Sequence, residues 1–243
     1  VRVTPSAIDR LLRPLHRWVW QNPHRRGRKL LRFAETEADG GRDLSRAAEL
    51  TADPLLRRLY LRHAQDEQRH AELFRVRGRQ VLKGAAVSTL EVNWLAPGER
   101  GLDDLRVDRT GEDSLLAFLH LSEKAAAGRF TLYESVLGTD EGTRAVFRDI
   151  LGDEVFHMSY TRSQLARIAP RKQGLRLWQA RATRVWKLYL RLATALASVL
   201  GTLLLRLQYF LILPLFALLA RRAARREPEG FSKSRPPDLA SQY

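Results

Sequence analysis

Asp66-Glu67-Gln68-Arg69-His70 and Asp153-Glu154-Val155-Phe156-His157 decide the fold of this chain. In each stretch a Glu and a His stand three apart, so on an α-helix both side chains leave one face. Each stretch also has an acidic residue upstream at nearly the same distance. Glu37 lies 30 residues before Glu67, and Glu123 lies 31 residues before Glu154. Four Glu and two His in two similar sets form the ligand list of a carboxylate-bridged dinuclear metal site inside a four-helix bundle.

A shift of 87 residues superimposes Leu50, Asp53, Arg57, Asp66, Glu67 and His70 on Leu137, Asp140, Arg144, Asp153, Glu154 and His157. The chain therefore reads as a duplicated helical hairpin. Solvated i, i+3 pairs on two surface helices are the alternative. They leave unexplained why both copies set the same polar residues beside apolar ones such as Ala64, Leu73, Leu151 and Val155. Glu35 competes with Glu37 for the first position, but the 30-residue spacing of Glu37 nearly repeats that of the second half. Asp66 and Asp153 stand four before each His, placed to accept the imidazole N–H that a metal-bound His leaves over, from their own or the facing ring. His63 and His120 lie one turn before Glu67 and Glu123; they could reach the site as extra ligands but read first as packing or hydrogen-bonding residues. Tyr60 and Phe147 read as core. Gly40 and Gly41 follow Glu37, and each costs on the order of 1 kcal/mol of helix stability relative to Ala. They leave space beside a metal or permit a close helix contact; Ala126 and Ala127 are their counterparts after Glu123.

These residues resemble the ferritin-like superfamily, which includes rubrerythrin, bacterioferritin, manganese catalase and the di-iron oxygenases. The resemblance covers about residues 25 to 168 and rests on Glu37, Glu67-x-x-His70, Glu123 and Glu154-x-x-His157. It implies two iron ions, or manganese, bridged by Glu67 and Glu154. Glu37 and Glu123 would be terminal carboxylates, with one His on each metal. The chain has no Cys, which excludes disulfides, thiolate ligation and the rubredoxin-type centre of a complete rubrerythrin.

The expected fold is all-α: a ferritin-like four-helix bundle with one long crossover, an N-terminal helix and a hydrophobic, basic C-terminal helical extension. Residues 1–24 would form an amphipathic helix carrying Ile8, Leu11, Leu12, Leu15, Val19 and Trp20. Trp18 and Trp20 would lie at a membrane interface or pack across the bundle. The di-metal bundle would occupy 25–170. Its helices begin near Arg26, at Asp53-Pro54, at a cap on Asp113 or Ser114, and after Gly138-Thr139-Asp140. The crossover would fill 83–111, because the second and third helices of such a bundle run parallel.

The net charge of +15 is not spread evenly. Arg171 to Arg226 holds twelve Arg and Lys and no acid, leaving the rest near neutral. Within this tail, 192–220 is apolar apart from Arg206, Gln208 and Pro214. It is long enough to span a membrane, which takes about 20 residues. Positive flanks on both sides favour a monotopic or re-entrant anchor broken near Gly201 or Pro214. Trp178, Arg184, Trp186, Lys187, Arg206, Arg221 and Arg222 are the candidate contacts with anionic lipids. A soluble helix buried in a homodimer is the alternative. Basic residues interleaved with Leu and Trp argue against nucleic acid as the partner. Residues 227–243, rich in Pro and Ser, read as a disordered end. With no charged-then-apolar leader in the sequence, the cytoplasmic face of a bacterial membrane is the expected location.

The resemblance implies one of three chemistries: oxidation of an organic substrate with dioxygen, oxidation of ferrous ion for storage, or dismutation of peroxide. A hydrophobic basic tail suits the first, a membrane-associated di-iron oxidase or hydroxylase with a lipophilic substrate and an unidentified electron donor. Its layout is similar to that of alternative oxidases and demethoxyubiquinone hydroxylases. A helical scaffold that binds membrane without enzymatic activity is the reading outside metal chemistry.

Overall fold

The computed structural model describes residues 3–83 and 106–225, and every regular element among them is helical. The chain divides after Thr183 into two compact units.

The first unit opens with α1 (Ala7–Leu11) and α2 (Arg13–Gln21). The single N-terminal helix read from the sequence is thus interrupted at Leu12. Pro14 supplies the reason: it has no N–H for the carbonyl one turn before it. Four long helices follow: α3 (Pro23–Leu50), α4 (Pro54–Leu82), α5 (Glu112–Val136) and α6 (Glu141–Ile168). Asn22 caps α3 and Asp53 caps α4, each followed by Pro at the first helical position, and Asp140 caps α6 by accepting from Thr143 N at 3.0 Å. Asp113 and Ser114, expected as caps, lie inside α5 instead. Gly111 precedes the helix, and Asp113 is held at 2.6 Å by Arg176.

Each sequence-adjacent pair forms an antiparallel hairpin. Gly27 faces Gly78 and Gly41 faces Ala64 across α3 and α4, while Glu134 meets Arg148 and His120 meets Met158 across α5 and α6. A Cβ on Gly27 would lie 2.6 Å from Leu82 Cγ and 3.3 Å from the Gly78 carbonyl oxygen, so α3 and α4 approach closely where each carries glycine. The hairpins join through α4 and α6, which are also antiparallel: Arg77 donates to Thr143 at one end and His63 meets Tyr160 at the other. It follows that α4 and α5 run parallel. Most of the expected 83–111 crossover, residues 84–105, lies outside the described residues.

Two apolar clusters fill the bundle, one toward each end. Leu44, Leu56, Tyr60, Leu116, Leu119 and Leu165 belong to the first. Trp20, Leu30, Phe74, Phe130, Tyr133, Phe147 and Ile150 belong to the second. Trp20 is only 1% exposed, with ring centroids 4.8 Å from Tyr133 and 5.2 Å from Phe147, so it packs across the bundle. Trp18 remains exposed beneath the Arg25 guanidinium, 3.6 Å from its ring centre. The N-terminal segment, read as a helix over 1–24, therefore belongs to the bundle unit. The boundary expected at 170 falls later as well, because Leu177 and Ala180 of α7 (Gln173–Leu207) pack against the first cluster.

The second unit holds the rest of α7, a π-helical turn at Gln208–Ile212 and α8 (Leu213–Ala224). Helix continues through Gly201, and the π turn stands just before Pro214, whose ring cannot accept the regular pattern of the preceding turn. The stretch Gln173–Ala224 is long and apolar enough to cross a membrane: its most apolar 18 residues have a mean hydropathy of 2.1 and none is buried. Trp186 stacks on Tyr189 with both rings exposed; Trp178, Arg206, Arg221 and Arg222 are exposed as well. The segment 227–243 lies outside the described residues.

Candidate metal centre

Between the two apolar clusters, the inward faces of four helices turn polar. On α4, Glu67 and His70 fall between Tyr60 and Phe74; on α5, Glu123 falls between Leu119 and Phe130; on α6, Glu154 and His157 fall between Ile150 and Tyr160. Helical periodicity alone places them there, since each residue continues the buried stripe of its helix. Glu37 enters from α3. Gly41, one turn on, brings α3 against α4: a Cβ there would stand 3.2 Å from the Ala64 carbonyl oxygen and 3.3 Å from Glu67 Cβ. Of its two readings, Gly41 takes the close helix contact.

Two groups of ligand atoms converge, each within 4.8 Å of one another. One comprises Glu37, Glu67 and His70, the other His63, Glu67, Glu123 and His157, and Glu67 belongs to both. This buried cluster of His and Glu has the donors to hold a metal ion. Glu154 is 1% exposed and shares a hydrogen bond with Glu123, while its Oε2 has no partner. Glu35, the competitor of Glu37, turns away to Arg75 at 3.5 Å.

The two imidazoles are oriented crosswise. His70 Nε2 lies 3.0 Å from Asp153 Oδ2, and His157 Nε2 lies 3.1 Å from Asp66 Oδ2. Each Asp therefore serves the His of the facing helix, related by the same duplication. Arg69 holds Asp153 and Asp149 together from outside. With Nε2 so engaged, Nδ1 of both rings points inward, buried and without a hydrogen-bond partner. Buried polar atoms seldom go unpaired, and unpaired lone pairs aimed at carboxylates are what a cation would satisfy.

Of its two readings, His63 takes the place among the clustered donors. Its side chain is fully buried, stacked on His157 with centroids 3.6 Å apart. Its Nε2 lies 3.1 Å from Glu67 Oε1 and 3.6 Å from Glu123 Oε1, and its Nδ1 lies 2.7 Å from the Tyr160 hydroxyl. Its position one turn before Glu67 was the available signal. His120 keeps the expected hydrogen-bonding role, with Nδ1 3.0 Å from the Met158 carbonyl oxygen.

Burial opposes the charged forms of most of these groups. Burial, and then the charge of Glu67, push the Glu37 carboxyl well above its usual range; burial and Glu123 do the same to Glu154. Glu67 is pushed up to about 8, chiefly by burial. Burial would also raise Glu123, but His63 and His157 outweigh it and hold its carboxyl low. Burial brings His63 down to about 4, and burial with the neighbouring His63 lowers His157. A bound divalent ion would reverse these penalties by favouring carboxylate and neutral imidazole together. Compared with protein-family models, curated proteins and solved structures, the chain matches none.

Proposed function

We propose that this chain is a membrane-associated di-iron carboxylate protein of ferritin-like type that oxidises a lipophilic substrate with dioxygen. The observation that carries the reading is the inward, unpartnered Nδ1 of His70 and His157, each ring braced by an Asp of the opposite hairpin and both aimed at shared carboxylates. The donor set suits a pair of ions: Glu37 and His70 on one side, Glu123 and His157 on the other, and Glu67 between them, with Glu154 beside Glu123. Mixed carboxylate and imidazole ligation accepts ferrous iron or manganese. Two ferrous ions would supply the electrons that reduce dioxygen.

The protein's own part is positional. Asp66 and Asp153 fix the ring orientation and tautomer of the two His. Apolar clusters on both sides exclude bulk water, and four Glu offset the cationic charge. Antiparallel hairpins with α4 and α5 parallel are the arrangement of ferritin-like bundles with one crossover. The exposed apolar helix Gln173–Ala224 favours a substrate drawn from the membrane over iron storage, which has no need of such a segment.

The test uses the full chain in lipid vesicles, loaded with Fe2+ under anaerobic conditions and then exposed to oxygen. The proposal expects an oxygenated organic product from added lipid extract, lost in the Glu67→Ala/Glu154→Ala double variant. Ferric mineral growth without an organic product would replace it by an iron-handling role. Equal activity in the double variant would remove metal chemistry altogether.

A further inference from the structure

We infer that the two metal positions are inequivalent, because His63 supplies a third imidazole to one of them. The inference rests on the di-metal reading above and concerns how that site is built. The duplication that relates the halves is broken at this point. Moving 87 residues on from His63 gives Ile150, buried in the apolar cluster, and moving 87 back from Tyr160 gives Leu73. One side of the centre thus carries an imidazole–phenol pair, one residue from each hairpin, where the duplication-related side carries two aliphatic side chains.

The geometry matches that of a ligand. His63 Nε2 sits with Glu67, Glu123 and His157 in one group of convergent donor atoms. Its remaining nitrogen meets the Tyr160 hydroxyl at 2.7 Å, the place that Asp66 and Asp153 take for His157 and His70. Each of the three rings therefore has one nitrogen held by an outer partner and the other turned toward the carboxylates. The partner of His63 is neutral where the other two are anionic. One position gathers His63 and His157 with Glu67 and Glu123; the other has His70 with Glu37 and Glu67. The imidazole-rich position fills first with Co2+, which favours nitrogen donors, and the difference narrows with Mn2+, which favours oxygen.

The experiment is a Co2+ titration of the metal-free full chain in detergent, followed by visible absorption and proton NMR. Wild type is expected to bind two Co2+ in separate steps. It should show three exchangeable, strongly shifted N–H resonances, from His63 Nδ1 and from Nε2 of His70 and His157. His63→Ile, which installs the side chain of the other half, is expected to keep two Co2+ and two such resonances, with the tighter step weakened at least tenfold. Tyr160→Phe should weaken that step by about 10–100-fold and leave the other unchanged. Two N–H resonances in wild type, or identical titrations of wild type and His63→Ile, would overturn the inference while leaving the di-metal reading intact. Wild type that binds no Co2+ would overturn both. The NMR count needs only wild type, so the test survives a variant that fails to fold.

Discussion

Replacing Glu67 by Gln removes one titrating group from the centre with little change of shape, and the metal-free chain should report it as a change in pH dependence. The unfolded Glu loses its proton near 4.5, whereas burial in the folded chain holds it up to about 8. Between these values the folded state binds more protons than the unfolded one, so stability falls as pH rises. His63 and His157 act in the opposite sense. Their lowered values mean that the unfolded chain binds protons the folded chain does not, and stability rises with pH up to about 6.5. Above 6.5 the unfolded imidazoles shed their remaining protons, a contribution that wild type and the Gln variant share and that cancels in their difference. At about 1.4 kcal/mol per pH unit, Glu67 accounts for a loss of about 2 kcal/mol between pH 6.5 and 8. The assay is denaturant unfolding of chelator-treated protein at those two pH values. Wild type should lose stability across the interval, and Glu67→Gln should lose about 2 kcal/mol less. Equal losses in both proteins, or a gain in wild type, would refute the reasoning.

Asp153→Asn should weaken metal binding by about 10–100-fold while leaving the helical content intact, read by metal titration alongside circular dichroism. Phe147→Ala empties a fully buried site ringed by Trp20, Phe74, Phe130 and Tyr133 and should cost about 3–5 kcal/mol in equilibrium unfolding. Gly41→Val should force α3 from α4 beside Glu67 and lower metal occupancy, measured by elemental analysis of the folded fraction. Ending the chain at Thr183 should abolish flotation with anionic vesicles and leave metal stoichiometry unchanged, since the residues of the centre lie in the first unit.

The helices that carry the clustered Glu and His were legible because duplication makes the pattern redundant. Glu67-x-x-His70 and Glu154-x-x-His157 each fix a helical face, and the matched spacings to Glu37 and Glu123 locate the other two helices. The same redundancy hid His63: a residue without a counterpart in the other half looks like packing until distances are available. Spacing also resolved Glu37 from Glu35, and Arg75 shows where the second one goes. Local breaks were harder to read. Pro14 interrupts the first helix, although its apolar periodicity runs on past it. Gly201 leaves α7 unbroken, because glycine weakens a helix by about 1 kcal/mol and does not remove a hydrogen bond. Whether Trp20 meets lipid or core depends on aromatic partners contributed by α3, α5 and α6, which no local pattern names.

The most direct measurement is iron bound per chain after anaerobic Fe2+ loading of the whole 243-residue chain and removal of excess metal. Two irons per chain in wild type, and none retained by the Glu67→Ala/Glu154→Ala variant, is the expected result. Wild type that retains no more iron than the variant would contradict the account.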